Sequence, residues 1–438
     1  MTSLDGIARL LGRVGRGVAL AARTVLPVDT NPVPADWTHV TKVDPEDAKK
    51  LPLLYPAYLQ HTSAVSVGGS ADVTARNTEE TFDLLAPASV PVLHEPSGPR
   101  HVTPRTRERA DLLAIPEVLN GDSESLVGQL GEGVEYIREE MVPDLVGDEL
   151  PWLPDFAADA LADVATSWLL AEAVFEAYVI QNPDSAAARE ANVTESDLLS
   201  PREAKQRAMA AERHLESELV YLEYSGTYGG DEAAETLAAI SENLSWSRLW
   251  YGGGLDSREH AAAMLDAGAD AVVVGDAFHR VADEEADVCE RAVEALDPDA
   301  SVSAVREWVR ESVAVADSHA ASYLATIPSV ADPERLALRY LTATVRTWLR
   351  LRELAEGNGN ERAKTTTESS ASVGLRSTLG PDATDDLEPS DATLVRQCLL
   401  ALLADGSDAD GSRTDRTASR TTPDEVPVDH FGLSLSRR

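Results

Sequence analysis

Tyr251-Gly252-Gly253-Gly254-Leu255-Asp256 ends one apolar strand, and Ala269-Asp270-Ala271-Val272-Val273-Val274-Gly275-Asp276 forms the next with its own glycine end. Between them, Ser257 to Gly268 reads as one helix, with Ala261, Met264 and Leu265 on one face and Gly268 as its stop. Strand, glycine turn, short helix, strand, glycine turn is the pattern of the last two units of a (β/α)8 barrel. The loops after strands 7 and 8 of that fold often hold a phosphate on backbone N–H groups. A side chain there would keep the phosphate oxygens from the amides. The bland alternative is a pair of tight turns.

Reading backwards, Leu219 to Tyr224 is a strand ended by Ser225-Gly226-Thr227, and Ala177 to Ile180 is another, ended by Gln181-Asn182-Pro183-Asp184. Earlier strands are expected at Leu112–Ile115, Val90–His94, Ala64–Val67 and Trp37–Val43. Eight short apolar strands over residues 36–297 suit one barrel of the usual ~250 residues and not a solvated antiparallel sheet. A doubly wound sheet is the runner-up. It wants a glycine-rich turn after strand 1, where this chain has Lys42-Val43-Asp44-Pro45.

Residues two apart on a strand share a face. Lys42 and Asp44 therefore meet at the mouth of strand 1, and Tyr221 and Glu223 at the mouth of strand 6. These polar groups are costly to bury without partners. An ion pair stiffening the rim is one reading. The other is a site: glycine turns for phosphate, Asp44 for Mg²⁺, a hard cation, Lys42 as a point charge against phosphate, and Glu223 to receive a substrate hydroxyl or its proton. Ser70, in Gly68-Gly69-Ser70, and Glu95, in His94-Glu95-Pro96-Ser97, point to the same region.

Seven segments in order now carry a resemblance. They are Lys42-Val43-Asp44-Pro45, Gly68-Gly69-Ser70, Glu95-Pro96-Ser97, Asn182-Pro183-Asp184-Ser185, Tyr221 to Gly226, Tyr251 to Gly254, and Ala269-Asp270 through Val274-Gly275-Asp276. Together they resemble the geranylgeranylglyceryl phosphate synthase family and its heptaprenylglyceryl relatives, over roughly residues 36–295. The resemblance implies a Mg²⁺-dependent prenyltransferase joining a prenyl diphosphate, geranylgeranyl diphosphate, to the C3 hydroxyl of sn-glycerol-1-phosphate. It implies Glu223, Lys42 and Tyr221 as catalytic residues. Ser225, Gly253, Gly254, Gly275 and Asp276 would bind substrate, and Asp44 and Ser70 would serve the metal. The family commonly has asparagine where this chain has Asp276. That carboxylate would repel phosphate, leaving the backbone N–H groups to bind it.

The stretch between Asn120 and Ala177 is longer than the resemblance implies. The excess falls around Met141 to Phe175, with a helix from about Phe156, beside the expected prenyl-tail site. Two other functions therefore stand beside the synthase. One is a different phosphate-binding barrel enzyme acting on a phosphorylated sugar; the other is a non-catalytic paralogue serving as a lipid-pathway scaffold.

The 438 residues carry a formal net charge of −37, from 75 acidic against 38 basic side chains. Lysine is scarce beside arginine. This resembles the proteome-wide adaptation of a salt-in halophile, since molar salt shortens the screening length to about 3 Å. No basic field offers a nucleic-acid surface. Cys289 and Cys398 fit neither a disulfide framework nor a metal site. No apolar run reaches the ~20 residues of a membrane span, and Met1–Leu26 lacks the order of a signal peptide. A cytoplasmic homo-oligomer is expected.

Residues 1–35 read as an N-terminal extension. At 100° per residue, Ile7, Leu10, Leu11, Val14, Val18, Ala22 and Val25 gather on one face, with Arg9, Arg13, Arg16 and Arg23 opposite. Residues 7–25 thus read either as an interfacial helix on the inner membrane face or as a packing surface. Gly12, Gly15 and Gly17 require a surface or partner for the helix to form. Behind the barrel, residues 298–356 read as two helices striped by Val305, Val309 and Val313, then Leu338, Leu341, Val345, Trp348 and Leu349. Such faces must pack on something. Residues 357–390 and 404–438 are expected to be disordered, around a short helix at 392–403.

Overall fold

The computed structural model describes residues 29–69, 71–143, 155–361, 387–405, 431 and 433. Eight parallel strands close into one barrel in chain order. They are β1 (His39–Val43), β2 (Ala64–Val67), β3 (Val92–His94), β4 (Leu112–Val118), β5 (Val174–Ile180), β6 (Leu219–Glu223), β7 (Arg248–Gly252) and β8 (Ala271–Val274). Pairing of Thr41 with Val274 closes the ring.

Side chains alternate across each strand. Val40, Ala64, Leu93, Ala114, Val174 and Leu219 pack together inside the barrel. Val43, Val67, Val179, Leu222, Val272 and Val274 face outward into the helical layer. The expected strands are all present, but β4 and β5 each run three residues further than their apolar runs suggest. Pro116 and Glu176, the two residues that disguise these strands, are register partners. Proline lacks a ladder donor and a buried glutamate is rare, so each shortens the apparent strand.

The helix after β7 spans Arg258–Asp266, with Ser257 capping its start. Gly268 follows at φ +112°, the left-handed stop that its sequence suggests. Between β4 and β5, helical turns cover Glu124–Met141 and a second helix covers Asp155–Glu172. At the opposite end of the barrel from the mouth, Asn31 donates to the carbonyls of Glu218 and Trp246, and Val33 is buried. The amphipathic stretch 7–25 lies outside the described residues.

The C-terminal region has three helices where two are expected: Val302–Ser312, His319–Thr326 and Pro333–Glu361. Val305, Val309, Leu341, Val345, Trp348 and Leu349 are buried in the same cluster as the outward faces of the strands. The extension is therefore part of the barrel's own core. The last of these helices runs past the expected limit at 356, and a further helix spans Pro389–Asp405. Within 404–438, where disorder is expected, Phe431 and Leu433 are buried. Phe431 forms a parallel bridge to Leu51, and its ring stacks on Tyr55 with centroids 6.3 Å apart. Two apolar side chains docking on a preformed groove escape a composition-based reading.

Candidate active site

The C-terminal ends of the strands surround a cavity of about 870 Å³ lined by Lys42, Asp44, Glu95, Tyr221, Glu223, Gly252 to Gly254 and the Gly275–Ala277 turn. Polar residues collect there because inward positions at the strand ends border the cavity, while lower inward positions fill the core.

Lys42 does not stand free. Its Nζ lies 2.7 Å from Glu95 Oε1. Glu95 also accepts from Ser66 Oγ at 2.8 Å and from the Tyr178 hydroxyl. Burial opposes the Lys42 charge, but Glu95, Glu223 and Asp44 outweigh it and raise its pKa above the ordinary value. Burial likewise pushes Glu95 up, yet the Lys42 ammonium and three hydrogen bonds hold it below the usual range. Lys42 is thus held in an ion pair, with Glu95 and not with the Asp44 or Glu223 of the rim reading, and its charge is already balanced within the protein.

Glu223 ends β6 beside this pair. Its Oε1 accepts from Ser225 Oγ; its Oε2 is buried and has no hydrogen-bond partner in the protein. Burial raises its pKa, while Lys42 and Ser225 offset the rise only in part. Tyr221, two residues earlier, packs on Tyr178 with ring centroids 4.6 Å apart. Asn182 fixes the Ser225 carbonyl at 2.6 Å.

At the other side, Asp276 opens the helix Asp276–Ala295. The expectation that its carboxylate stands unbalanced needs correction. Lys49 Nζ lies 3.0 Å from Asp276 Oδ1 and 3.9 Å from Asp44 Oδ2. Burial raises the Asp276 carboxyl, but the Lys49 hydrogen bond and charge outweigh it and lower its pKa. His279, whose pKa burial lowers, accepts the Asp44 N–H at Nε2 (3.1 Å) and donates from Nδ1 to the Lys50 carbonyl (2.9 Å). It clips both ends of the segment carrying Asp44 and Lys49. Lys49, in an irregular loop, and Arg280, in the first turns of the Asp276–Ala295 helix, also line the cavity; neither stands out in the sequence, because an isolated cation carries no periodic signal.

The glycines also need a revised reason. A Cβ on Gly253 would stand 2.5 Å from Tyr224 Cβ, and one on Gly254, at φ +41°, 2.5 Å from the Thr227–Tyr228 backbone. These two glycines let the β6 and β7 loops touch. A Cβ on Gly275 would make only ordinary contact, with Lys42, whose Cβ is nearest at 3.4 Å, and its turn begins the Asp276–Ala295 helix, whose first N–H groups lack intrahelical acceptors. Ser70 lies outside the described residues.

Sequence reading also missed Glu176. It faces inward on β5, is 1% exposed, and leaves Oε2 without a partner. Burial, followed by the Glu95 charge, drives its pKa well above the carboxylate range. The alternation Glu176, Tyr178, Ile180 identifies it once β5 is started at Val174. Among the described residues, no three His, Cys, Asp or Glu side chains converge on a metal-sized site.

A closed parallel barrel with a polar mouth at the C-terminal strand ends defines the class of (β/α)8-barrel enzymes. Within that class, the chain belongs to the PcrB family, whose model matches residues 34–296. A geranylgeranylglyceryl phosphate synthase from Methanocella arvoryzae is 32% identical over 56% of this chain and 91% of that one. Its counterpart from the haloarchaeon Haloquadratum walsbyi is 31% identical over 56% and 88%. The solved (S)-3-O-geranylgeranylglyceryl phosphate synthase of Thermoplasma acidophilum, in complex with sn-glycerol-1-phosphate, is 23% identical with a TM-score of 0.40, over 56% of this chain and 87% of that one. The 302–405 helices lie beyond the matched region.

Proposed function

We propose that this chain is a prenyltransferase joining geranylgeranyl diphosphate to the C3 hydroxyl of sn-glycerol-1-phosphate, forming the first ether bond of archaeal membrane lipids. The observation that carries the reading is the unpartnered, buried Oε2 of Glu223 at the mouth. A substrate hydroxyl satisfies it, and the raised pKa suits a base working near neutrality. The phosphate of glycerol-1-phosphate lies against the Gly275–Ala277 turn, a helix N-terminus, with Lys49 as its cation. Ser225 fixes the Glu223 carboxylate while Oε2 takes the hydroxyl proton. The C3 oxygen bonds to the allylic C1 as the bond from C1 to the diphosphate breaks.

Asp44 suits a divalent cation shared with diphosphate, because Mg²⁺ is often held by one or two carboxylates plus substrate phosphates. Bound Mg²⁺ would neutralise charge on the leaving diphosphate. Asp44→Asn should therefore raise the Mg²⁺ concentration needed for turnover and weaken prenyl diphosphate binding more than glycerol phosphate binding. Separate titrations test this, and equal weakening would reverse the assignment of the two anion sites.

A second, apolar cavity of about 410 Å³ adjoins the mouth and shares Pro96, Ser97, Pro116 and Gln129 with it. Leu113, Ile137, Met141 and Leu169 wall it. Such a groove suits a prenyl tail, and the enlarged β4–β5 connection supplies much of its lining.

The test is pyrophosphate release from geranylgeranyl diphosphate with Mg²⁺ in molar salt. Release that depends on sn-glycerol-1-phosphate is expected. Its absence would favour the scaffold reading, and borohydride trapping with sugar phosphates would favour an aldolase. Lys42 argues against that last chemistry: a Schiff-base lysine needs a lowered pKa, and its carboxylate neighbours raise this one. A prenyl substrate also gives purpose to contact between residues 7–25 and a membrane surface. Vesicle flotation of the full chain against one lacking residues 1–25 should show loss of binding; equal flotation would make the stripe a packing surface.

A further inference from the structure

The C-terminal extension packs on the barrel mainly through the helices Arg258–Asp266 and Asp276–Ala295, and it also reaches β1 and the segment after it, which carry Lys42, Asp44 and Lys49. On the outer face of β1, His39 Nε2 lies 3.1 Å from Thr326 Oγ1, and Thr41 Oγ1 lies 2.8 Å from the Tyr323 hydroxyl. Beyond the mouth, Leu51 is bridged by Phe431. The Leu53 N–H donates to Glu285 Oε2 at 2.6 Å, and Thr344 Oγ1 donates to Oε1 of the same carboxylate at 2.9 Å. The Tyr340 hydroxyl donates to the Ala57 carbonyl at 3.1 Å and lies 2.7 Å from His61 Nε2.

The segment from Lys49 to Ala57 is therefore fastened on two sides. Toward the cavity, Lys49 pairs with Asp276 and the Lys50 carbonyl accepts from His279. Away from it, the extension engages Leu51, Leu53 through Glu285, and Ala57. Only short turns and one helix of five residues, Tyr55–Leu59, lie in this stretch, so its own backbone bonds do little to hold it. Glu285 is 1% exposed, and burying its carboxyl group with polar atoms left unsatisfied would be costly. Thr344 is the nearer of two donors to Oε1, with the Tyr58 hydroxyl at 3.4 Å, and so helps to keep the Leu53 bond in place.

We propose that the extension is a positioning element for anion binding at the mouth. Through Tyr340, Thr344 and Phe431 it sets the place of Lys49, and with it the Lys49–Asp276–Asp44 charge arrangement. These three are positioning residues, since none lines the cavity. The inference rests on the proposed synthase reading for the identity of the anion, but not for the mechanical link.

Two measurements on the full chain in molar salt test it, using Tyr340→Phe, Thr344→Val and Phe431→Ala. Hydrogen exchange should quicken at residues 49–57 in each variant while β4 to β7 stay protected. KM for sn-glycerol-1-phosphate should rise about three- to tenfold, with kcat within about twofold, because displaced binding groups weaken a ligand without removing the base. The near-isosteric Tyr340→Phe and Thr344→Val guard against a result caused by unfolding. Unchanged exchange and unchanged KM would overturn the proposal, as would a loss confined to kcat. If the wild-type chain shows no glycerol-phosphate-dependent turnover, the synthase reading fails. Binding of inorganic phosphate then replaces KM, with weaker binding in the variants supporting the proposal and equal binding overturning it.

Discussion

The hydroxyl of Tyr221 occupies the place where a side chain on Gly252 would begin; a Cβ built on that glycine would overlap it. Gly252 pairs in register with Glu223, so this glycine seats the tyrosine directly below the candidate base. Gly252→Ala should push Tyr221 off Tyr178 and lower kcat/KM by about tenfold or more, since small misplacements at a reacting centre are amplified. Steady-state kinetics with a parallel thermal melt checks this. An unaltered rate would mean that Tyr221 has no positional role.

Glu223→Gln should keep the fold and lose on the order of 10²–10⁴-fold in turnover, because an amide can touch the hydroxyl but cannot take its proton. Far-UV dichroism confirms the fold. Activity within about threefold of wild type would reduce Glu223 to a positioning group.

Lys49→Met should weaken glycerol phosphate binding, as it removes a cation and exposes the Asp276 carboxylate to the phosphate. Adding Asp276→Asn, which removes that negative charge, should recover part of the loss. A double-mutant cycle by calorimetry measures that coupling. Strictly additive losses would show that the Lys49–Asp276 pair does not act on the ligand.

Burial raises Glu285 to about 8, against donors from Leu53, Thr344 and Tyr58 that lower it. The folded chain therefore holds a proton that the unfolded chain releases near the ordinary value of 4.5. Stability from this group is complete below that value and declines as pH rises to about 8. Glu285→Gln should flatten this part of the profile, so that the variant gains on wild type with rising pH. Denaturant midpoints from pH 5 to 9 give the difference, and parallel curves would exclude Glu285 as its source.

The strand-and-glycine pattern from Tyr251 to Asp276 was enough to read the barrel, because apolar alternation and left-handed stops are local. The mouth was legible through residues placed two apart, such as Tyr221 and Glu223. Partnerships were not. Lys42 reads as available in sequence, but Glu95, just past the end of β3, holds it. Gly253 and Gly254 announced a close approach without saying of what, and the answer was the neighbouring loop. Lys49 and Phe431 carried no pattern, since one sits in an irregular segment and the other in a polar stretch. Both gain meaning only from distant partners.

The bridge between Leu51 and Phe431 also bears on how the protein is made. All eight strands have left the ribosome once Val274 has emerged, and a barrel can then close. The segment beside Asp44 waits for a partner translated far later. A nascent or truncated chain that stops short of Phe431 would hold its prenyl groove and its base but grip anions poorly. If the extension positions Lys49 as proposed, the grip on the anion at the mouth would reach full strength only after Phe431 has docked on Leu51.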